Sequence, residues 1–175
     1  MRIISGTLGG RHFSTPNGRR THPMSDKMRG AIFSALGDIE GLSVLDCFAG
    51  SGGLAYEALS RGAATATLVE HDRSAQVVIE ENIRQLELKN QAKLIRAGVG
   101  SWLETSTETF DIVLADPPYD DINAQLIERL TSRVTTTGIF VLSYPGKLAP
   151  PTLTGMKTLT VRNYGDAQLI YYRPN

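Results

Sequence analysis

Apolar positions recur at two different spacings along the chain, and each change of spacing marks an element. Short apolar runs at residues 43–47, 65–69, 92–96, 110–115 and 138–143 predict strands. The segments between them predict helices over 53–61, 73–87, 101–104 and 122–132. In 73–87, Ala75, Val78, Ile79, Ile83 and Leu86 fall on one face, and Gly62 stops the helix before it. Ahead of this series, residues 2–5 and 10–14 read as two short strands around a glycine-containing turn. Residues 16–23 read as a loop. Ser25 is suited to cap a helix running to Leu36, with Met28, Ile32 and Leu36 aligned and Gly37 as its stop. At the other end, strands over 157–161 and 167–172 are separated by only five residues. That link is too short for a parallel crossover, so the pair must be antiparallel.

Strands alternating with helices predict a doubly wound α/β fold: a mostly parallel seven-stranded sheet covered on both faces. An antiparallel C-terminal hairpin closes it, and a short N-terminal β-hairpin and helix extend it. The 175 residues suit one domain with a full core. No apolar run approaches the ~20 residues that span a bilayer, and the opening residues carry no signal-peptide pattern. The single Cys47 permits neither an internal disulfide nor a multi-thiolate metal site. A cytoplasmic location, no membrane and no metal are expected.

Net charge is zero, but it is unevenly placed. Residues 1–30 hold Arg2, Arg11, Arg19, Arg20, Lys27 and Arg29 against Asp26 alone, a net +5, which leaves −5 for the rest. A basic arm on an acidic body suits a polyanionic partner.

Two strand ends carry the candidate chemistry. The first is "VLDCFAGSGG", where a strand runs through Asp46 and Phe48 into Gly50-Ser51-Gly52-Gly53 and then a helix. Glycines let backbone approach a ligand closely, and the helix start favours polar or anionic groups. Glu70 lies twenty residues past Gly50, at the end of the next strand and beside His71, where an acid can meet a ribose diol. The spacing also fits a dinucleotide fingerprint. Asp46, however, disfavours a nearby pyrophosphate and suits a ligand with a cationic amine, such as S-adenosylmethionine. The second is "FDIVLADPPYDD", residues 110–121. A buried-strand pattern ends in Asp116, then Pro117, Pro118 and Tyr119. The carboxylate and a carbonyl fixed by proline are acceptors, and the tyrosine offers a flat ring. Acceptors beside a stacking surface recognise the exocyclic amine of a nucleobase.

These motifs together resemble the class I S-adenosylmethionine-dependent methyltransferases that modify exocyclic amines. "MRIISGTLGGRHFSTP", "THPMSDKMRGAIFSAL", "LSRGA" and "NYGDAQLIYY" narrow the resemblance to the bacterial 16S rRNA guanine-N2 methyltransferase family (RsmD-like), over essentially the whole chain. The resemblance implies a Rossmann-like methyltransferase domain over 38–175 and an RNA-binding extension over 1–37. S-adenosyl-L-methionine would be held by Asp46, Phe48, Gly50, Gly52, Glu70, His71, Gly98 and Val99. Asp116, Pro117, Pro118 and Tyr119 would hold the target guanine. The basic residues would grip 16S rRNA or the assembling small ribosomal subunit. Two departures stand out. An Arg-Pro-Thr element is here His22-Pro23-Met24. The stretch after the third strand, Ala97-Gly98-Val99-Gly100, also lacks an Asp or Asn for the adenine amine, which leaves backbone and apolar packing from Val99 and Trp102.

Rival readings are a nicotinamide-dependent oxidoreductase, a non-catalytic RNA-binding protein, and an amino-methyltransferase acting on adenine or a protein amide. Asp46, the Asp-Pro-Pro-Tyr motif and the lack of length for a substrate domain argue against the first. The intact motif argues against the second.

Overall fold

The computed structural model describes residues 1–16 and 24–175. Helix α1 (Asp26–Leu36) is followed by β1 (Ser43–Asp46), α2 (Gly53–Ser60), β2 (Thr65–Glu70), α3 (Arg73–Gln85) and β3 (Ala92–Arg96). Then come α4 (Val99–Thr105), β4 (Phe110–Ala115), α5 (Ala124–Leu130), β5 (Val134–Pro145), β6 (Met156–Tyr164) and β7 (Ala167–Pro174). The seven strands form one sheet in the order β3-β2-β1-β4-β5-β7-β6. The first five run parallel, and β7 inserts antiparallel between β5 and β6. The expected doubly wound sheet and its C-terminal hairpin are therefore both present.

The period of two along each strand sorts the core into two layers. Val44, Leu68, Ile112 and Leu114 face one layer with α1, α2 and α3. Leu45, Val69, Val113 and Ala115 face the other, under α4 and α5. The N-terminal segment belongs to the first layer, because Ile3 and Phe13 are buried there beside Ile32 and Phe33.

That segment pairs antiparallel as expected, but over a shorter span than the two predicted strands. Arg2 and His12 form an antiparallel bridge, flanked by hydrogen bonds from Ile3 N–H to Arg11 O at 2.9 Å and from Phe13 N–H to Met1 O at 3.0 Å. Beyond Ile3 the segment is held by α2: Ile4 N–H donates to Glu57 Oε2 at 2.8 Å and Ser5 N–H to Glu57 Oε1 at 3.1 Å. A buried glutamate in α2 thus anchors the end of the paired segment.

Helix α1 also rolls relative to its predicted face. Its buried residues are Arg29, Ile32 and Phe33, rather than the line through Met28 and Leu36. Ser25 caps it as expected, accepting from Met28 N–H at 3.2 Å.

Candidate active site

In a sheet of this order the winding direction reverses between β1 and β4, and ligands bind beyond the C-terminal strand ends at that point. Asp46, Glu70 and Asp116 all stand there, at the ends of β1, β2 and β4. Ser143 lies opposite Asp116 on β5, one step past the Ala115–Leu142 pairing.

The glycine loop is tied down from several sides. Gly50 N–H donates to Glu70 Oε2 at 2.8 Å, and Asp72 N–H donates to Glu70 Oε1 at 2.7 Å. Glu70 thus holds the two loops in register, and each of its oxygens keeps a free lone pair. Gly52 adopts a left-handed conformation (φ 85°) as it starts α2. A side chain there would run into the ring of Tyr56, so the position accepts only glycine. Asn82, fully buried in α3, donates to Ser51 O at 3.3 Å and Ser14 O at 2.9 Å, joining loop to N-terminal segment.

Asp46 is the exception in this bonded surround. It is 1 % exposed, and among the described residues neither carboxylate oxygen completes a hydrogen bond, although the Ala55 and Phe48 amides lie close enough to act against the rise in its pKa. Burial, and then the charge of Asp116, pushes its pKa up to about 7. A buried carboxylate with two nearby amides but, among the described residues, no cationic partner can take one from outside. A ligand ammonium would fill that need, so the residues present fit a zwitterionic amino-acid cofactor.

Across the switch point the site is more open. Pro117 is buried, whereas Pro118 and Tyr119 are exposed. Burial raises the pKa of Asp116, and a hydrogen bond from Ser143 acts against that rise. The Tyr119 hydroxyl lies 2.7 Å from Ser143 Oγ, and burial raises its pKa. Ser143, 2 % exposed, is the site residue that sequence reasoning missed. Its place at the C-terminal end of a parallel strand was the available signal.

Other predicted residues are placed as follows. His71 projects outward, its ring 3.4 Å from Glu70. Gly98 caps α4 and Val99 begins it. Trp102 is not free to pack on an adenine. It is 4 % exposed, tilted against Phe110, with the Arg133 guanidinium over its ring. Among the basic residues, Arg2 and Lys27 are exposed. Arg11 is exposed but bonds its guanidinium to Gln85 O at 2.6 Å, at the end of α3. Arg29 cannot grip RNA: it is 1 % exposed, bonded to Arg2 O and Asp26, with Nε 3.7 Å from Glu57. The periodicity that buries Ile32 and Phe33 also turns Arg29 inward. Arg19, Arg20 and His22-Pro23 lie outside the described residues.

A doubly wound sheet with an antiparallel β7, glycine loop and strand-end acids is the fold of the class I S-adenosylmethionine-dependent methyltransferases. A solved Escherichia coli structure named "Putative methyltransferase yhhF" superposes with a TM-score of 0.90 at 29% identity, covering 100% of this chain and 98% of that one. The chain belongs to the family described as "Conserved hypothetical protein 95", which matches residues 1–173. It is 40% identical over 119 residues to "Ribosomal RNA small subunit methyltransferase D" of Buchnera aphidicola, and 38% identical over 120 residues to the Escherichia coli protein of that name. Those matches cover 67% and 68% of this chain but only 62% and 60% of the relatives. A Bacillus subtilis relative, "Putative rRNA methyltransferase YlbH", is 30% identical over 99% of this chain and 98% of its own length.

Proposed function

We propose that this chain transfers a methyl group from S-adenosylmethionine to the exocyclic N2 amine of a guanine in small-subunit rRNA. The observation that carries the reading is the buried Asp46 carboxylate, without a cationic partner among the described residues, close to Asp116 across the switch point. One side of the site lacks a cation and the other offers acceptors for an amine. A methyl donor with an ammonium group and an amine substrate satisfy both. The names of the relatives support rRNA as substrate.

Asp46 would take the donor's ammonium, Glu70 its ribose diol, and the glycine loop would let its sulfonium approach the backbone. The cofactor supplies an electrophilic methyl on sulfur. Asp116 would accept from the amine N–H groups, which draws the nitrogen lone pair out of conjugation and toward the methyl. Guanine offers two adjacent donors, N1–H and N2–H, to such a carboxylate. Adenine sets its amine beside an acceptor, which a carboxylate repels. Tyr119 would stack on the base. Orientation does most of the work, and the carboxylate stabilises charge developing on nitrogen. The exposed Arg2 and Lys27, with Arg11, Arg19 and Arg20, would contact phosphates. A cytoplasmic location follows from an rRNA substrate.

The test is mass spectrometry of nucleosides from small-subunit rRNA incubated with the protein and S-adenosylmethionine. N2-methylguanosine is the expected product. N6-methyladenosine alone would shift the reading to the rival base, and no methylated nucleoside would overturn it.

A further inference from the structure

Asp116 poses a problem once a base is seated on it. As the amine nitrogen bonds the methyl carbon, the carbon–sulfur bond breaks and its electron pair stays on sulfur. The nitrogen is left positively charged, with one proton to lose. Asp116 is the acceptor beside it, but the base then covers the side of the carboxylate that faces water.

On the far side the structure holds a second route. Ser143 Oγ sits beside both other groups: it neighbours Asp116 at the paired ends of β4 and β5, close enough to act against the rise in that carboxyl's pKa, and it lies 2.7 Å from the Tyr119 hydroxyl. Ser143 itself is closed from water, whereas Tyr119 is 40 % exposed. A hydroxyl has a single proton to give. When Ser143 donates to the ionised Asp116, it must therefore accept from Tyr119. When Asp116 carries a proton, the chain can run the other way: Asp116 donates to Ser143, Ser143 to the Tyr119 oxygen, and Tyr119 releases its own proton to water. No atom moves except the three protons.

We propose that Asp116, Ser143 and Tyr119 form a proton-exit chain for the methylated amine, with Ser143 as the residue that positions both neighbours. The inference rests on the amino-methyltransferase reading above. It assigns Ser143 a role in the reaction, and it assigns the Tyr119 hydroxyl a role separate from stacking by the ring.

Four variants test it by transfer to small-subunit rRNA at saturating S-adenosylmethionine: Asp116→Ala, Ser143→Ala, Ser143→Thr and Tyr119→Phe. Ser143→Ala and Tyr119→Phe should each lower kcat by about tenfold, within the range of proton-transfer assistance, with KM for RNA little changed. Their double variant should be no slower than either alone, because each breaks the same chain. Ser143→Thr should recover most of the rate. Thermal unfolding of each variant checks that the fold is retained. If Asp116→Ala is inactive while Ser143→Ala and Tyr119→Phe run at the wild-type rate, the exit chain is wrong and the amine-binding reading stands. Multiplicative losses in the double variant would likewise overturn the chain. If Asp116→Ala transfers normally, the reading of the site itself fails.

Discussion

The two halves of the site are built in opposite ways. Beyond β1 and β2, the glycine loop is held by Glu70, by Asn82 and by the packing of Gly52 on Tyr56. Beyond β4, the Asp-Pro-Pro-Tyr loop, which the proposed function gives to the substrate, has Pro118 and Tyr119 exposed, and among the described residues a single side-chain hydrogen bond, to Ser143, anchors Tyr119. A small cofactor can be met by a prearranged cradle. A base that must enter and leave with its RNA needs a loop that can be approached. The difference predicts that damage on the first side shows as lost stability or affinity, and damage on the second as lost rate.

The largest effect should come from behind the cradle. Glu57 is fully buried in α2, where it accepts from Ile4 and Ser5, bonds Arg61 at 2.8 Å and faces the buried Arg29. Glu57→Ala leaves Arg29 without its innermost counter-charge and frees two amides of the N-terminal segment. Removing one member of a buried pair costs about 3–5 kcal/mol. Chemical denaturation should register that loss. A loss under about 1 kcal/mol would show that the N-terminal segment is not part of the core.

Asp116→Ala should do the reverse. Its carboxylate is buried with a raised pKa, and its charge adds to the rise at Asp46, so the unfolding midpoint should not fall below wild type and cofactor affinity near pH 7 should hold or increase slightly. Single-turnover methyl transfer should fall by on the order of 10²-fold or more. If instead the variant melts early and transfers normally, the two halves of the site do not divide the work as described.

The same division explains what could be read in advance. Asp46, Gly50, Glu70 and Asp116 were legible because they interrupt strong strand patterns at the ends where α/β sheets bind ligands. The hairpin at the C-terminus was legible from link length alone. Arg29 and Glu57 were not, since a charged residue reads as surface unless its helical neighbours are weighed with it. Ile32 and Phe33 share the inward face of α1 with Arg29, and that spacing was present in the chain. The N-terminal pairing is shorter than predicted, and local pattern cannot see the carboxylate that arrives from α2 to hold the amides of Ile4 and Ser5. Trp102 is a candidate in the sequence because no Asp or Asn follows the third strand, yet it is buried against Phe110 with the Arg133 guanidinium over its ring.

A smaller effect separates the two acids by pH. Asp46 has its pKa raised to about 7 by burial and by Asp116 and Glu70 nearby. Its ionised form is the one that attracts an ammonium. Cofactor affinity should therefore be level above about pH 7 and fall roughly tenfold per pH unit below it, as the carboxylate takes up a proton. The raised value also means that Asp46 opposes folding more as pH rises from the ordinary carboxylate range through about 7. Asp46→Asn should then bind S-adenosylmethionine weakly at all pH values, and above pH 7 it should be more stable than wild type without ligand. Calorimetric titration across pH 5.5–8.5 reads the first effect and thermal unfolding the second. A pH-independent affinity would show that Asp46 does not meet the cation.

The smallest effect should lie furthest from the chemistry. Arg2 and Lys27 are exposed on the N-terminal segment and on α1. Arg2 does have a neighbour, a 4.0 Å contact with the half-exposed Asp26, but an exposed pair of that length is worth little. Deleting the segment would be a poor test of its role in RNA binding, because Ile3 and Phe13 sit in the core and would go with it. Charge reversal is cleaner. Arg2→Glu combined with Lys27→Glu should leave the unfolding midpoint and cofactor affinity unchanged. It should weaken binding of rRNA fragments uniformly across sequences and reduce the slope of log affinity against log salt by about 1 per lost phosphate contact. Arg29→Glu, by contrast, should destabilise the fold, although it differs from Lys27 by only two positions on the same helix. Equal behaviour of the two positions in thermal unfolding would mean that Arg29 faces solvent, and the inward face of α1 would have to be redrawn.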